Sequence, residues 1–300
     1  MEKPGIQIQS VIYGNEKKNL ERTLEYLANA VRVEREEAGV LGRVRMVYGD
    51  GTPEPVFSED EILTMKEKYR EYLELDYKVF GFNSGSAKGH NILAEDCNSE
   101  YMLIMNPDVI MAPRCLAELM YPFNDEKVGM VEARQTPVEH PKEYNIETKE
   151  TEWATTACAV FKTEIFRQLN GFDSDSFFLY CDDVDFSWRL RLAGYKIIYN
   201  PLAVVYHAKR LDSKGQWEPT KAEVYYSAEA SLMMAHKWSN PKQVNQILRI
   251  FMNSTPMHRE IAENFIRKRD EGVLPSPLDP EHKVSKFVDW HYSDYRFIIG

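Results

Sequence analysis

Ile6, Ile8, Ser10 and Ile12 alternate with Gln7, Gln9 and Val11, a period of two that predicts a strand ending at Tyr13-Gly14-Asn15. Leu20, Leu24, Leu27, Val31 and Val33 then recur at helical spacing among Glu, Lys and Arg, so the chain opens β then α. Arg43 to Tyr48 reads as a second strand, stopped by Gly49-Asp50-Gly51. An acidic helix follows from about Ser58 to Leu75, then a strand from Tyr77 to Phe82 and a short helix from Ala87 to Cys97. Tyr101 to Met105 is apolar throughout, the pattern of a central strand covered on both faces. Strands alternating with helices predict a largely parallel sheet, whose ligands sit beyond the strands' carboxyl ends.

The middle is less regular. Strands are expected at Val128 to Ala133, Ala157 to Phe161, Lys196 to Tyr199 and Ala203 to His207, with a polar loop or flap from Pro137 to Thr151. Asp183 to Ala193 predicts a helix, acidic at its start, basic near its end and followed by Gly194. After Arg210 the texture becomes helical, at Val224 to Trp238, Val244 to Met252 and Met257 to Arg269. We therefore expect two parts, an α/β unit over 1–210 and a mainly helical extension over 211–300. Trp217, Tyr225, Tyr226 and Trp238 are its candidate contacts, for an acceptor groove, a homodimer or simply a core.

Composition and charge narrow the function classes. A chain of 300 residues, 43% hydrophobic and 12% aromatic, is ordinary globular stock. A formal net charge of −10 repels a phosphate backbone, which excludes a nucleic-acid reader. The four cysteines lie far apart with no Cys-x-x-Cys pair, which argues for reduced thiols in a cytosol. The start lacks a secretory signal pattern, and the densest apolar run is far below the ~20 residues that span a bilayer. A cytoplasmic protein without a transmembrane segment is expected, with contact to the membrane face left open.

Asn106-Pro107-Asp108, directly after the most apolar strand, reads either as a turn capping a helix near Pro113 or as a carboxylate set where a divalent cation would bridge a diphosphate. Asp182-Asp183-Val184-Asp185 reads as a capped helix start with Asp185 paired to Arg189, or as a base whose carboxylate the preceding aromatics desolvate. His207, at a strand end, suits a core residue or a Mn²⁺ or Mg²⁺ ligand beside a carboxylate. The run from Asn83 to Asn91, with Gly85 and Lys88, is a small-residue loop opening a helix, fit for close approach of phosphate or for packing. Asp50 could accept the imide N–H of uracil or thymine, or close a plain Asp-Gly turn.

In this order the segments from about Ile6 to His207 resemble the family 2 glycosyltransferases with the GT-A fold. Gly171-Phe172-Asp173, Phe177-Phe178-Leu179-Tyr180-Cys181-Asp182-Asp183-Val184-Asp185, Arg189, Gly194-Tyr195, Pro201 and His207 follow that family's pattern nearly position for position. Asn106-Pro107-Asp108 is similar to its Asp-x-Asp motif in the form common among rhamnosyltransferase-like members. The resemblance implies a GT-A sheet with flanking helices and inverting sugar transfer from a dTDP- or UDP-sugar, tilted towards rhamnose, to a glycan or lipid-linked acceptor in polysaccharide synthesis. It also implies Mn²⁺ or Mg²⁺ on Asp108 and His207, a donor pocket of Tyr13, Asn15, Asp50, Asn83, Gly85, Lys88 and Asn106, and Asp183 as base with Asp182 beside it. Trp153, Thr156 and Tyr180 would lie near the sugar or acceptor. Three departures stand out: Asn106 replaces the motif's first Asp, Asp182 its commoner Glu, and Thr156-Ala157-Cys158 stands where many members carry glycine. A decayed nucleotide-sugar-binding module is the alternative, and a nucleotidyltransferase fits poorly because Tyr13-Gly14-Asn15-Glu16 stands where its Gly-rich basic loop belongs.

Overall fold

The computed structural model describes residues 3–139, 142–207, 218–288 and 292, with the backbone of 298–299. β1 (Ile6–Ile12), β2 (Val44–Asp50), β3 (Glu74–Val79) and β4 (Tyr101–Met105) lie in the order β3-β2-β1-β4, all parallel. They are linked by α1 (Lys17–Val33), α2 (Glu59–Tyr69) and α3 (Gly85–Glu95). The apolar stripe of α1 is buried as its spacing dictates, each leucine adding about 1.5–3 kcal/mol. In β4, Met102 to Met105 are fully buried between β1 and β7, so the central placement holds.

The second half of the sheet is mixed. β5 (Val109–Met111), α4 (Cys115–Met120), β6 (Val128–Glu139), β7 (Cys158–Lys162), α5 (Thr163–Gln168), α6 (Asp182–Leu192) and β8 (Lys196–His207) follow in sequence. β7 runs antiparallel to β4 and β6, β6 runs parallel to β8, and β5 runs antiparallel to the end of β8. One α/β layer system results, helices on both faces, as expected. Among the described residues no helix is long and apolar enough to cross a membrane.

Four local readings are corrected. The acidic helix begins with a capping box at Ser58 and Glu61 but stops at Tyr69, and the third strand lies three residues upstream of its expected place. Pairing of 74–79 with β2, supported by Arg45 on Asp76 at 2.7 Å, overrides the helix propensity of the leucines at 73 and 75. The two strands expected before His207 are one strand with a bulge: Ala133 pairs with Asn200 and Arg134 with Val204, leaving 201–203 out, where Pro201 has no N–H for the ladder. β6 continues through Glu139, into the segment expected to be loop. Gln7 and Gln9, the polar positions of β1, are fully buried; their amides donate to Leu93 O at 2.9 Å and His90 O at 3.1 Å of α3.

The extension forms α7 (Lys221–Lys237), α8 (Pro241–Met252) and α9 (Pro256–Asp270), with β9 (Ile298–Ile299) added to β6. The boundary near 210 and Trp217 lie outside the described residues. Trp238 is fully buried, edge-on to Trp188 of α6 at 5.1 Å. It is a core residue. Tyr226 lies against Phe178 at 4.6 Å, with Tyr225 edge-on behind it.

Candidate active site

Strand register brings the first two groups together. Val109 pairs with His207, so Asp108, one step before β5, meets the end of β8: His207 Nε2 lies 3.4 Å from Asp108 Oδ1 and 3.4 Å from the Asn106 amide. Val109 N–H donates to Asn106 O at 3.1 Å, so the turn is real, but β5 separates it from α4, which starts at Cys115 behind Arg114, and Asp108 caps no helix. Asp108 stays 44% exposed at its side chain while His207 is buried. Gln135 fixes the imidazole. Its Nε2 donates to Thr155 Oγ1 at 2.7 Å, which leaves Oε1 to accept from His207 Nδ1–H at 2.8 Å. Nε2 then faces both the Asn106 Nδ2 amide and the Asp108 carboxylate.

Asp183 is tied to the same strand end through the lead-in to β7. Asn106 N–H donates to Ala157 O at 2.9 Å, and the adjacent Thr156 N–H donates to Asp183 Oδ2 at 3.4 Å. Two neighbouring residues of the lead-in to β7 thus tether both halves. The residue before α6 is Cys181, which makes no side-chain cap; Asp183 Oδ1 accepts from Val184 N–H at 2.8 Å, and Asp185 pairs with Arg189 at 2.8 Å. Tyr180 and Cys181 both have left-handed backbone (φ 68° and 61°), strain of order 1–3 kcal/mol each that the packing around the turn delivering Asp182 and Asp183 must offset. Burial pushes the Asp183 carboxyl above the ordinary carboxylate range, against the Val184 N–H and the Lys142 charge. Burial and then the Asp183 charge push Asp182 up as well, and its Oδ2 makes no hydrogen bond among the described residues.

The small-residue loop closes on this turn. Gly85 has φ +65°, and a Cβ there would stand 2.4 Å from Phe178 O, while Ser86 N–H donates to that same oxygen at 3.0 Å. Gly85 thus allows close approach of backbone to backbone at this turn. Asn83 is exposed and accepts from Gly85 N–H at 3.2 Å; Lys88 is exposed, its Nζ 5.2 Å over the Phe82 ring. Tyr13 is 53% exposed, and its N–H donates to Asn15 Oδ1 at 2.9 Å. Asp50 is fully buried at the end of β2, its carboxylate accepting from Thr52 N–H, Val56 N–H and the Tyr77 hydroxyl, so it shapes the loop beneath Tyr13 and Gly14. Trp153 is 5% exposed beneath Lys142, Thr156 is buried at the tether, and Tyr180 is half-buried.

Sequence reading missed Glu132, Gln135, Lys142 and Thr155. An acid inside the apolar run of β6 was the available signal for Glu132; Lys142, in a polar stretch, offered none. Among the described residues no set of three or more His, Cys, Asp or Glu gathers to hold a metal, so Asp108 and His207 stand as a pair.

No family model matches the chain. Rhamnosyltransferase WbbL of Escherichia coli (strain K12) is 25% identical over 188 residues, 51% of this chain and 71% of that one. N-acetylglucosaminyl-diphospho-decaprenol L-rhamnosyltransferase of Mycobacterium tuberculosis is 39% identical over 57 residues, 19% of this chain and 18% of that one. GalNAc-T7, solved with UDP, GalNAc and Mn²⁺, superimposes with a TM-score of 0.64 at 13% identity over 91% of this chain and 56% of that one. The chain has the GT-A fold and resembles the family 2 glycosyltransferases in sequence. It spans only part of each of these proteins, and the likeness to GalNAc-T7 is one of fold.

Proposed function

We propose that the transferase is metal-dependent and inverting, moving a sugar from dTDP-rhamnose or a UDP-sugar to a hydroxyl of a glycan or lipid-linked acceptor in polysaccharide or cell-surface glycan synthesis, at the cytoplasmic side of the membrane. Residues 1–210 carry the reaction and 211–300 brace it. The observation that supports this reading is the pairing of Asp108 with His207, together with the tether from Asn106 through Ala157 and Thr156 to Asp183. Support for the sugar comes from the two rhamnosyltransferases, and for the metal from the donor set. A carboxylate oxygen and an imidazole nitrogen 3.4 Å apart are a donor set of the kind that Mg²⁺ and Mn²⁺ take.

Asp108 and His207 would hold the cation, which when bound stabilises charge on the departing diphosphate. Asp183 accepts the proton of the acceptor hydroxyl as its oxygen attacks the anomeric carbon from the face opposite the nucleotide, and inversion follows. Burial suits it to this task, since a carboxylate of raised basicity takes a proton more readily. The test is a panel of nucleotide sugars assayed for hydrolysis with Mn²⁺, with Mg²⁺ and with chelator. One dTDP- or UDP-sugar is expected to be hydrolysed only with metal; nucleotide binding with no turnover of any donor would instead mark a decayed binding module.

A further inference from the structure

The side chains joining the two ends of the site form a chain of hydrogen bonds with one direction. His207 Nδ1–H donates to Gln135 at 2.8 Å, Gln135 Nε2–H donates to Thr155 at 2.7 Å, and Thr155 Oγ1–H donates to Glu132 Oε1 at 2.8 Å. The other Glu132 oxygen accepts from Lys142. Every donor thus points at Glu132, and the polarity of the chain is set by the one group that can only accept. Both charged side chains are out of water, Glu132 1% and Lys142 2% exposed. Lys142 also lies 4.1 Å over the Trp153 ring. Desolvated charges of this kind are seldom kept for stability alone, because an apolar pair of equal volume serves as well.

We propose that Glu132, Lys142, Thr155 and Gln135 are a positioning relay: Glu132 fixes the tautomer of His207 through Thr155 and Gln135, and the Glu132–Lys142 pair sets the field at Asp183. The inference rests on Asp183 being the base. Thr155 Oγ1–H donates to Glu132 at 2.8 Å and the N–H of the next residue, Thr156, donates to Asp183 Oδ2 at 3.4 Å, so the buried pair stands one residue away from that carboxylate. The charged groups acting there are Asp182 beside it on α6, Glu132 from β6 and Lys142 from the segment after β6; Lys142 favours the ionised carboxylate and Glu132 opposes it. None of the four relay side chains needs to touch substrate.

Two measurements test this. In the pH profile of Mn²⁺-dependent dTDP-rhamnose hydrolysis, activity rises with pH as Asp183 ionises. Lys142→Met leaves Glu132 uncompensated and should move that acid limb up by about one pH unit, whereas Glu132→Gln leaves Lys142 and should move it down. A purely structural pair would lower the rate and leave the limb in place. Opposite shifts support the relay; an unmoved limb in whichever variant folds, or shifts of the same sign, overturn it. The second readout needs no metal: ¹⁵N NMR of His207 in the metal-free protein should show the Nδ1-protonated ring, and Thr155→Val should convert it to a mixture of tautomers. An unchanged ring in Thr155→Val overturns the His207 arm. If Asp183→Asn hydrolyses donor like the wild type, the base assignment fails. If that variant is inactive and the limbs do not move, the relay alone fails.

Discussion

Asp183→Asn is expected to lower kcat by about 10²–10⁴-fold, the range that a positioned general base supplies, with nucleotide affinity changed by less than about threefold. The asparagine keeps the volume, and its one carbonyl oxygen can still accept from Val184 N–H, so the short bond that holds the turn at 180–183 is retained. What is removed is the capacity to take a proton, together with the longer 3.4 Å contact from Thr156 N–H. Burial raises the wild-type carboxyl above the ordinary carboxylate value, so the protonated, inactive form prevails at low pH and activity climbs as the group ionises towards neutrality. The variant's residual rate should lack that limb. Steady-state kinetics across pH, paired with calorimetric nucleotide titration, checks it; a rate within threefold of wild type would remove Asp183 from the role.

Lys237→Met is expected to destabilise the whole chain by about 3–5 kcal/mol, the usual effect of taking one partner from a buried ion pair. Lys237, 6% exposed at its side chain, sits 2.6 Å from Asp173 and 2.7 Å from Asp185, and Trp238 Nε1 donates to Asp185 at 3.1 Å. The end of α7 thereby neutralises two carboxylates of the loop and helix that deliver Asp183. Asp173 is desolvated, yet Lys237 and Ser176 hold its carboxyl below the ordinary Asp value. A depressed carboxyl stabilises the fold above its unfolded value near 3.9 and loses that contribution as pH falls through the folded one. The gap between wild type and variant should therefore be full near neutrality and narrow below about pH 4. Thermal unfolding of the full chain at pH 7 should show one transition, lower by roughly 10 °C. A loss below about 1 kcal/mol would mean that the helical extension does not brace the catalytic loop.

Much of the parallel half was legible because its strands are short apolar runs bounded by turn residues; β1 and β4 fall where their patterns place them. Errors arose where tertiary pairing competes with local spacing. Leu73 and Leu75 suit a helix, but pairing with β2 draws 74–79 into the sheet, and Gln7 and Gln9 look solvated until α3 covers them. At the site, the meeting of Asp108 with His207 and the pairing of Asp185 with Arg189 were readable. The relay was not, since Glu132, Lys142 and Thr155 meet through β6, the segment after it and the approach to β7, and no short-range pattern encodes that meeting.

The most direct test of the account is calorimetric titration of UDP and dTDP, with and without Mn²⁺, into wild type, His207→Ala and Asp183→Asn. Metal should tighten nucleotide binding in the wild type and in Asp183→Asn but not in His207→Ala, separating donor capture from proton removal within one cleft. Nucleotide binding that ignores Mn²⁺ in the wild type, or metal-dependent binding undiminished in His207→Ala, would contradict it.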